Sequence, residues 1–175
     1  SERRESAVSD GARRTFGTLR NCYAFLALYA NLDGWEVGDE APPKKDRPSI
    51  DRWLLSRIQT VAQGVDDALE ALQLTEASRV LENFIDRELS NWYVRRSRDR
   101  FWGEDQAAFD TLRTVLDVVC RVASPLMPLV TEEVWRGLTG GRSVHLADWP
   151  TADELPADPA LVAAMDTVRS VCSTT

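Results

Sequence analysis

Apolar residues recur at helical spacing along nearly the whole chain, and the alternation typical of β-strands is almost absent. The apolar stripes predict successive helices over about Asp10–Ala30, Ser49–Leu72, Glu76–Arg98 and Pro128–Leu138, and another that begins near Asp105 and carries apolar residues from Ala108 to Val122 inward. Pro125 and Pro128 mark the break between the last two helices, because proline lacks an amide proton and clashes with the preceding turn. The sequence therefore predicts an all-α fold, a bundle of about five helices.

Capping residues mark the beginnings of two of these helices. We expect Ser49 or Asp51 to cap the second helix and Thr75 to cap the third. A short side-chain oxygen at such a position accepts a hydrogen bond from an amide of the first turn.

Two stretches interrupt the helical pattern. Residues 31–48 contain two glycines and three prolines, which predicts a surface connector. Residues 143–150 are predicted to form an extended strap, and residues 161–171 a terminal helix. We therefore expect a helical bundle over residues 1–142 and a C-terminal appendage over residues 143–175.

The composition is that of a globular protein with enough apolar residues for a core. The chain has 175 residues, 43% of them hydrophobic, and 28 acidic against 21 basic residues give a net charge of -7. No apolar run reaches the roughly 18 residues that a membrane span needs. The acidic balance disfavours a general nucleic-acid binder, because Lys and Arg make the contacts to phosphates. The chain starts at Ser1 rather than Met, so we expect a piece of a longer protein.

Residues suited to catalysis or metal binding are scarce. The three cysteines lie far apart without a Cys-x-x-Cys pair, and the single histidine, His145, is expected to pack or hydrogen-bond structurally. The sequence contains no glycine-rich phosphate loop and no nucleophile elbow. Adjacent acids such as Glu132 and Glu133 point about 100° apart on a helix and do not face each other. We expect no metal site, no catalysis by this chain alone, and a reducing, cytoplasmic environment.

Residues 91–102, with the sequence NWYVRRSRDRFW, differ from the rest of the chain. Four arginines face one acid in this basic–aromatic segment, so its local charge is +3 in a chain whose total is -7. Aromatic residues are interleaved with the arginines. Guanidinium groups and aromatic rings are what contact with RNA phosphates and unstacked bases requires.

A helical wheel at about 100° per residue places Arg95 and Arg96 near the core-facing stripe that contains Glu88. Two interpretations stay open for this arginine pair. The arginines either form ion pairs with Glu88 or another acid, or they contact RNA.

The same wheel directs Arg98 and Arg100 away from the core-facing stripe, and we expect both to contact phosphates. Trp92 is expected to pack in the core. Trp102, beside Gly103, is the candidate for stacking on an unstacked base.

Five segments, in matching order, resemble those of isoleucyl-tRNA synthetases. The basic–aromatic segment resembles the stretch just past that family's catalytic core, and residues 29–35 (YANLDGW) resemble its YANIDGF stretch. Residues 51–57 (DRWLLSR) resemble its DRWILSR helix start, residues 123–135 its APFTPFLTEEIW segment, and residues 143–150 its SVHLxDxP strap. The likeness spans nearly the whole chain, from about residue 15.

The resemblance implies the helical anticodon-binding domain of a class Ia isoleucine–tRNA ligase. It places ATP-dependent aminoacylation, with ATP and Mg²⁺ as cofactors, in a separate domain whose HIGH and KMSKS motifs this chain lacks. The implied partners are isoleucine-accepting tRNA and the rest of the synthetase chain, with no membrane and no DNA. The implied tRNA-binding residues are Asn91, Arg95, Arg96, Arg98, Arg100 and Trp102.

Two alternatives remain at this point. Residues 51–57 and 123–135 resemble segments shared with the valine and leucine enzymes, so an anticodon domain of either type also fits them; residues 30–34 and 91–98 favour isoleucine. A free-standing helical module for protein interaction would also explain an acidic chain with an arginine-rich edge.

Overall fold

The structure, a computed structural model, describes residues 2–38, 41–103 and 105–173, with side chains from residue 11 onwards. Its α-helices are α1 (Glu2–Asp33), α2 (Ser49–Glu70), α3 (Leu74–Asn83), α4 (Arg95–Trp102), α5 (Gln106–Ala123), α6 (Pro128–Thr139) and α7 (Pro159–Ser173). A π-helical segment, Phe84–Val94, joins α3 to α4 without a break. No strand occurs among these residues, and the prediction of an all-α bundle is confirmed.

The core lies where α2 and α5 pack against each other, and buried residues of the π-helical segment complete it. The largest fully buried side chains include Trp53, Phe84, Tyr93, Phe101 and Phe109. On α5, the inward positions that the sequence pattern predicts are buried, from Ala108 to Val122. Burying each large apolar side chain contributes about 1.5–3 kcal/mol, so this packing is what holds the helices together.

The C-terminal part of the chain packs against the same core. Residues 143–150 are not fully extended, because Val144–Leu146 forms a 3₁₀ turn. Val144 and Leu155 are buried, and α7 lies on α2 through partly buried apolar residues such as Met165. In the described ranges, no helix is long and apolar enough to cross a membrane.

Two of the predicted helix caps are wrong. Helix α2 follows Pro48, and neither Ser49 nor Asp51 provides a side-chain cap; Asp51 is instead fully buried. Helix α3 begins at Leu74, so Thr75 already lies inside its first turn. The tight turn before α3 is made by Leu72, whose φ of 57° is unusual for a residue with a side chain.

The long helix predicted over Glu76–Arg98 exists, but its middle is wound differently. Its eleven π-helical residues close hydrogen bonds across five residues instead of four, so each residue advances the helix by a smaller angle. Side chains beyond Val94 therefore point in directions that an ideal α-helical wheel does not give. This change of phase decides the orientation of every arginine in α4.

Candidate nucleic-acid interface

Arg100 lies within a buried network of polar side chains. Its two terminal nitrogens donate hydrogen bonds to the two carboxylate oxygens of Asp51, both at 2.7 Å, and its Nε donates to Asp105 at 2.8 Å. The hydroxyl of Tyr93 donates to the same Asp51 carboxylate at 2.8 Å. The prediction that Arg100 projects away from the core is therefore wrong, because its guanidinium binds the buried carboxylate of Asp51 at the start of α2.

The charges of this network stabilise one another. Burial opposes the charge of Arg100, but its hydrogen bonds to Asp51 and Asp105 outweigh that effect and raise its pKa above the ordinary value. Burial alone would raise the pKa of Asp105, but its bond with Arg100 lowers that pKa below its usual range. Burial, and then the neighbouring Asp51, raise the pKa of Tyr93 well above its ordinary value. Arg100 therefore joins α4 to the first turns of α2 and α5.

Glu88, another buried acid, has partners that the sequence did not indicate. Arg57 donates two hydrogen bonds to it, at 2.6 and 3.1 Å, and a guanidinium nitrogen of Arg169 lies 3.4 Å from its carboxylate. The interpretation that pairs Glu88 with Arg95 or Arg96 is wrong. An i to i+7 relation along one helix suggested that pairing, whereas the actual partners come from α2 and α7.

The other three arginines of the basic–aromatic segment are exposed. The guanidinium of Arg96 lies 3.8 Å from the ring centre of Trp92, and that of Arg98 lies 5.8 Å from the ring centre of Phe25. Among the described residues, no ion pair involves Arg95, Arg96 or Arg98. Their positive charges therefore face solvent, and those of Arg96 and Arg98 lie beside aromatic rings.

Trp102 ends α4 with 75% of its surface exposed, and Tyr29 meets it edge to face at 6.3 Å. Such exposure is costly for an indole, and it leaves a ring face available for stacking. Trp92 is half-buried and packs against the core, as expected. Asn91 is exposed.

Five of the six predicted tRNA-binding residues therefore share the exposed side of one continuous helix, and Arg100 does not. We refer to Asn91, Arg95, Arg96, Arg98 and Trp102 as the arginine strip. The strip has no carboxylate partner within the described part of the chain and ends at the ring of Trp102, which suits phosphate contact with a stacked base beside it.

Two of the three cysteines are buried, and the single histidine lies at the surface. Burial raises the pKa of Cys22 and of Cys120 to about 12, so neither is a thiolate nucleophile at neutral pH. The predicted packing role of His145 is wrong, because its side chain is exposed. Among the described residues, its one hydrogen bond is donated by its backbone N–H to the Ser143 hydroxyl.

The chain is similar to proteins named isoleucine--tRNA ligase. That of Nocardia farcinica is 48% identical over 171 residues, that of Leifsonia xyli subsp. xyli 51% over 179 residues, and that of Mycobacterium leprae 47% over 169 residues. Each match covers 97% of this chain, whereas the chain spans only 16%, 15% and 15% of these relatives.

The comparison with protein families covers most of the bundle and the whole described appendage. Residues 51–175 match the family described as the anticodon-binding domain of tRNA ligase. The matched part contains all of the arginine strip and both partners of the Asp51–Arg100 pair. The chain therefore belongs to the family of anticodon-binding domains of tRNA ligases.

Proposed function

We propose that this chain is the tRNA-binding domain of an isoleucine–tRNA ligase, and that the arginine strip contacts the anticodon stem-loop of isoleucine-accepting tRNA. The observation that carries the proposal is the set of exposed guanidinium groups that form no ion pair with any described residue, followed along the helix by an exposed tryptophan. The names of the relatives support isoleucine over valine or leucine.

The strip suits RNA for electrostatic and geometric reasons. Arg95 and Arg98 present planar donors that can reach two phosphate oxygens at once. Trp102 offers an indole face at the end of the same helix, where an unstacked anticodon base can lie. The pair between Asp51 and Arg100 holds α4 against the core, so these groups are presented from a rigid support.

The chemistry of aminoacylation is assigned to other parts of the ligase. We propose that ATP and Mg²⁺ bind in those other parts. The domain alone is proposed to bind tRNA without catalysis, in the cytoplasm, with the rest of the synthetase chain as its second partner.

Binding of labelled tRNA to the full-length protein tests this function. We expect the tRNA that accepts isoleucine to bind more tightly than those that accept valine or leucine, and isoleucine alone to be charged. Trp102→Ala should weaken tRNA binding, whereas Leu129→Ala, at a residue 85% exposed on α6, should not. Equal loss in the two variants, or charging with another amino acid, would contradict the proposal.

A further inference from the structure

A polar cleft of about 730 Å³ lies between α1, α3 and the π-helical segment, next to the arginine strip. Its basic lining residues are Arg14, Arg57, Arg79 and Arg87, against the two acids Glu82 and Asp86. The remaining polar lining consists of hydroxyl and amide side chains, and no aromatic ring lines the cleft among the described residues. This composition is suited to an anion that offers oxygen acceptors rather than a base to stack.

The four arginines of the cleft are matched in number by Glu82 and Asp86 of its lining and by Glu76 and Glu88, but of the four only Arg57 is held closely by a buried acid. Arg57 forms a close ion pair with Glu88. Arg14 lies 3.6 Å from the carboxylate of Asp86, and 75% of its side chain is exposed. Arg87 is exposed and forms no ion pair within the described ranges. The pair between Arg79 and Glu76 is exposed, and such surface pairs contribute only about 0–1 kcal/mol. A phosphate can therefore compete for Arg79 at little cost, and at Arg87 it displaces no ion pair of the described residues.

The cleft is continuous with the arginine strip. Asn91 belongs to both, and the exposed residues Arg87, Asn91 and Arg95 follow one another at intervals of four. In an α-helix such residues drift around the axis by about 40° per step, because 3.6 residues make a turn. The π-helical segment has more residues per turn, which keeps this row closer to a straight line. The row leads from the strip into the cleft.

We propose that this cleft is a second contact site for the same RNA, in which Arg87 and Arg14 bind backbone phosphates of the anticodon stem. This inference rests on the proposed function and extends it to residues outside the basic–aromatic segment. Because the lining has charged and polar donors but no stacking ring, the contact positions the RNA without reading its sequence. The arginine strip and Trp102 would then hold the loop, and the cleft the stem.

The salt dependence of tRNA binding by the full-length protein tests the cleft. Arg87→Ala and Arg14→Ala should each flatten the slope of log affinity against log salt by about one unit, and the double variant by about two. The loss should be the same for a tRNA with an altered anticodon loop on the same stem, because only phosphates are contacted. Arg142→Ala, at an exposed arginine after α6, is the matched control and should leave the slope unchanged.

The outcomes separate the two proposals. If the unmodified protein binds tRNA with a steep salt slope and Arg87→Ala does not change it, the cleft is not a phosphate site and the proposed function stands. A loss in Arg87→Ala that depends on the loop sequence would also overturn the cleft assignment. If the unmodified protein binds no tRNA at any salt concentration, both proposals fail. Arg87 forms no ion pair with the side chains that the structure describes, so its replacement should leave the melting temperature unchanged.

Discussion

Arg98 and Arg100 are two residues apart on α4 and lie in opposite surroundings. Arg100 donates three hydrogen bonds to Asp51 and Asp105 and is 21% exposed, whereas Arg98 is exposed beside the ring of Phe25. The sequence gives both the same charge and predicts the same ligand for them. The difference shows that a guanidinium held by a buried acid of the fold is not available to a ligand, whereas an exposed one is.

Other arginines of the chain are also bound by acids of the fold, as Arg100 is. Arg47 is buried and donates to Asp110 at 2.6 Å and to Thr111 at 2.9 Å, and Arg57 is bound by Glu88. These pairs join the connector to α5 and α2 to the π-helical segment. Breaking such a pair leaves a buried charge without a partner, which costs more than an exposed arginine contributes.

Arg100→Ala should have the largest effect on stability. Asp51 is fully buried and would keep only the hydroxyl of Tyr93, so we expect the free energy of unfolding to fall by about 3–5 kcal/mol. Chemical denaturation measures this loss. Arg100→Lys should lose less, because an ammonium keeps the charge but does not match both carboxylate oxygens. A loss below about 1 kcal/mol would show that Arg100 is not a structural residue.

Tyr93→Phe should have a smaller effect in the same network. It removes one hydrogen bond to a buried carboxylate while Arg100 still neutralises the charge, so a loss of about 1.5 kcal/mol is expected. Tyr23→Phe is the matched control, since no hydrogen bond of the Tyr23 hydroxyl occurs among the described residues. Equal stability of the two variants would mean that the bond between Tyr93 and Asp51 contributes nothing.

Acid should lower the free energy of unfolding by a still smaller amount, through protonation of Asp105 in the network with Arg100 and Asp51. Its pKa is lower in the folded protein, so its contribution is present above the unfolded value of about 3.9 and is lost as the pH falls through the folded value. We expect the free energy of unfolding to decrease below about pH 4 and Asp105→Asn to flatten this decrease. Denaturation curves between neutral and acidic pH measure it. Asp99→Asn, at an exposed acid on α4, should leave the curve unchanged.

The helices were predictable because burial dominates their pattern. The inward residues of α5 recur at helical spacing, and prolines 125 and 128 break the chain as expected. Local capping was less predictable, since Asp51 has the side chain of a helix cap but binds Arg100 from a distant helix. The residues close to Asp51 in the sequence do not indicate that Arg100 is its partner.

The interface was predictable as a segment but not residue by residue. Its composition identified residues 91–102, and the exposure of Trp102 agrees with the role expected for it. The directions of Arg95, Arg96 and Arg100 were not predictable, because a π-helical segment just before them changes the helical phase. Arg87 and Arg14 were missed because they lie outside the segment and meet only where α1 packs on the π-helical residues.

The most direct test compares Arg98→Ala with Arg100→Ala in the full-length protein, measuring both unfolding free energy and the salt slope of tRNA binding. For Arg98→Ala we predict a slope flattened by about one unit and stability within about 0.5 kcal/mol of the unmodified protein. For Arg100→Ala we predict the reverse: a large loss of stability and an unchanged salt slope of tRNA binding. The slope of this variant is measured under conditions in which it is folded. A flattened slope in Arg100→Ala together with an unchanged one in Arg98→Ala would contradict the division between paired and exposed arginines.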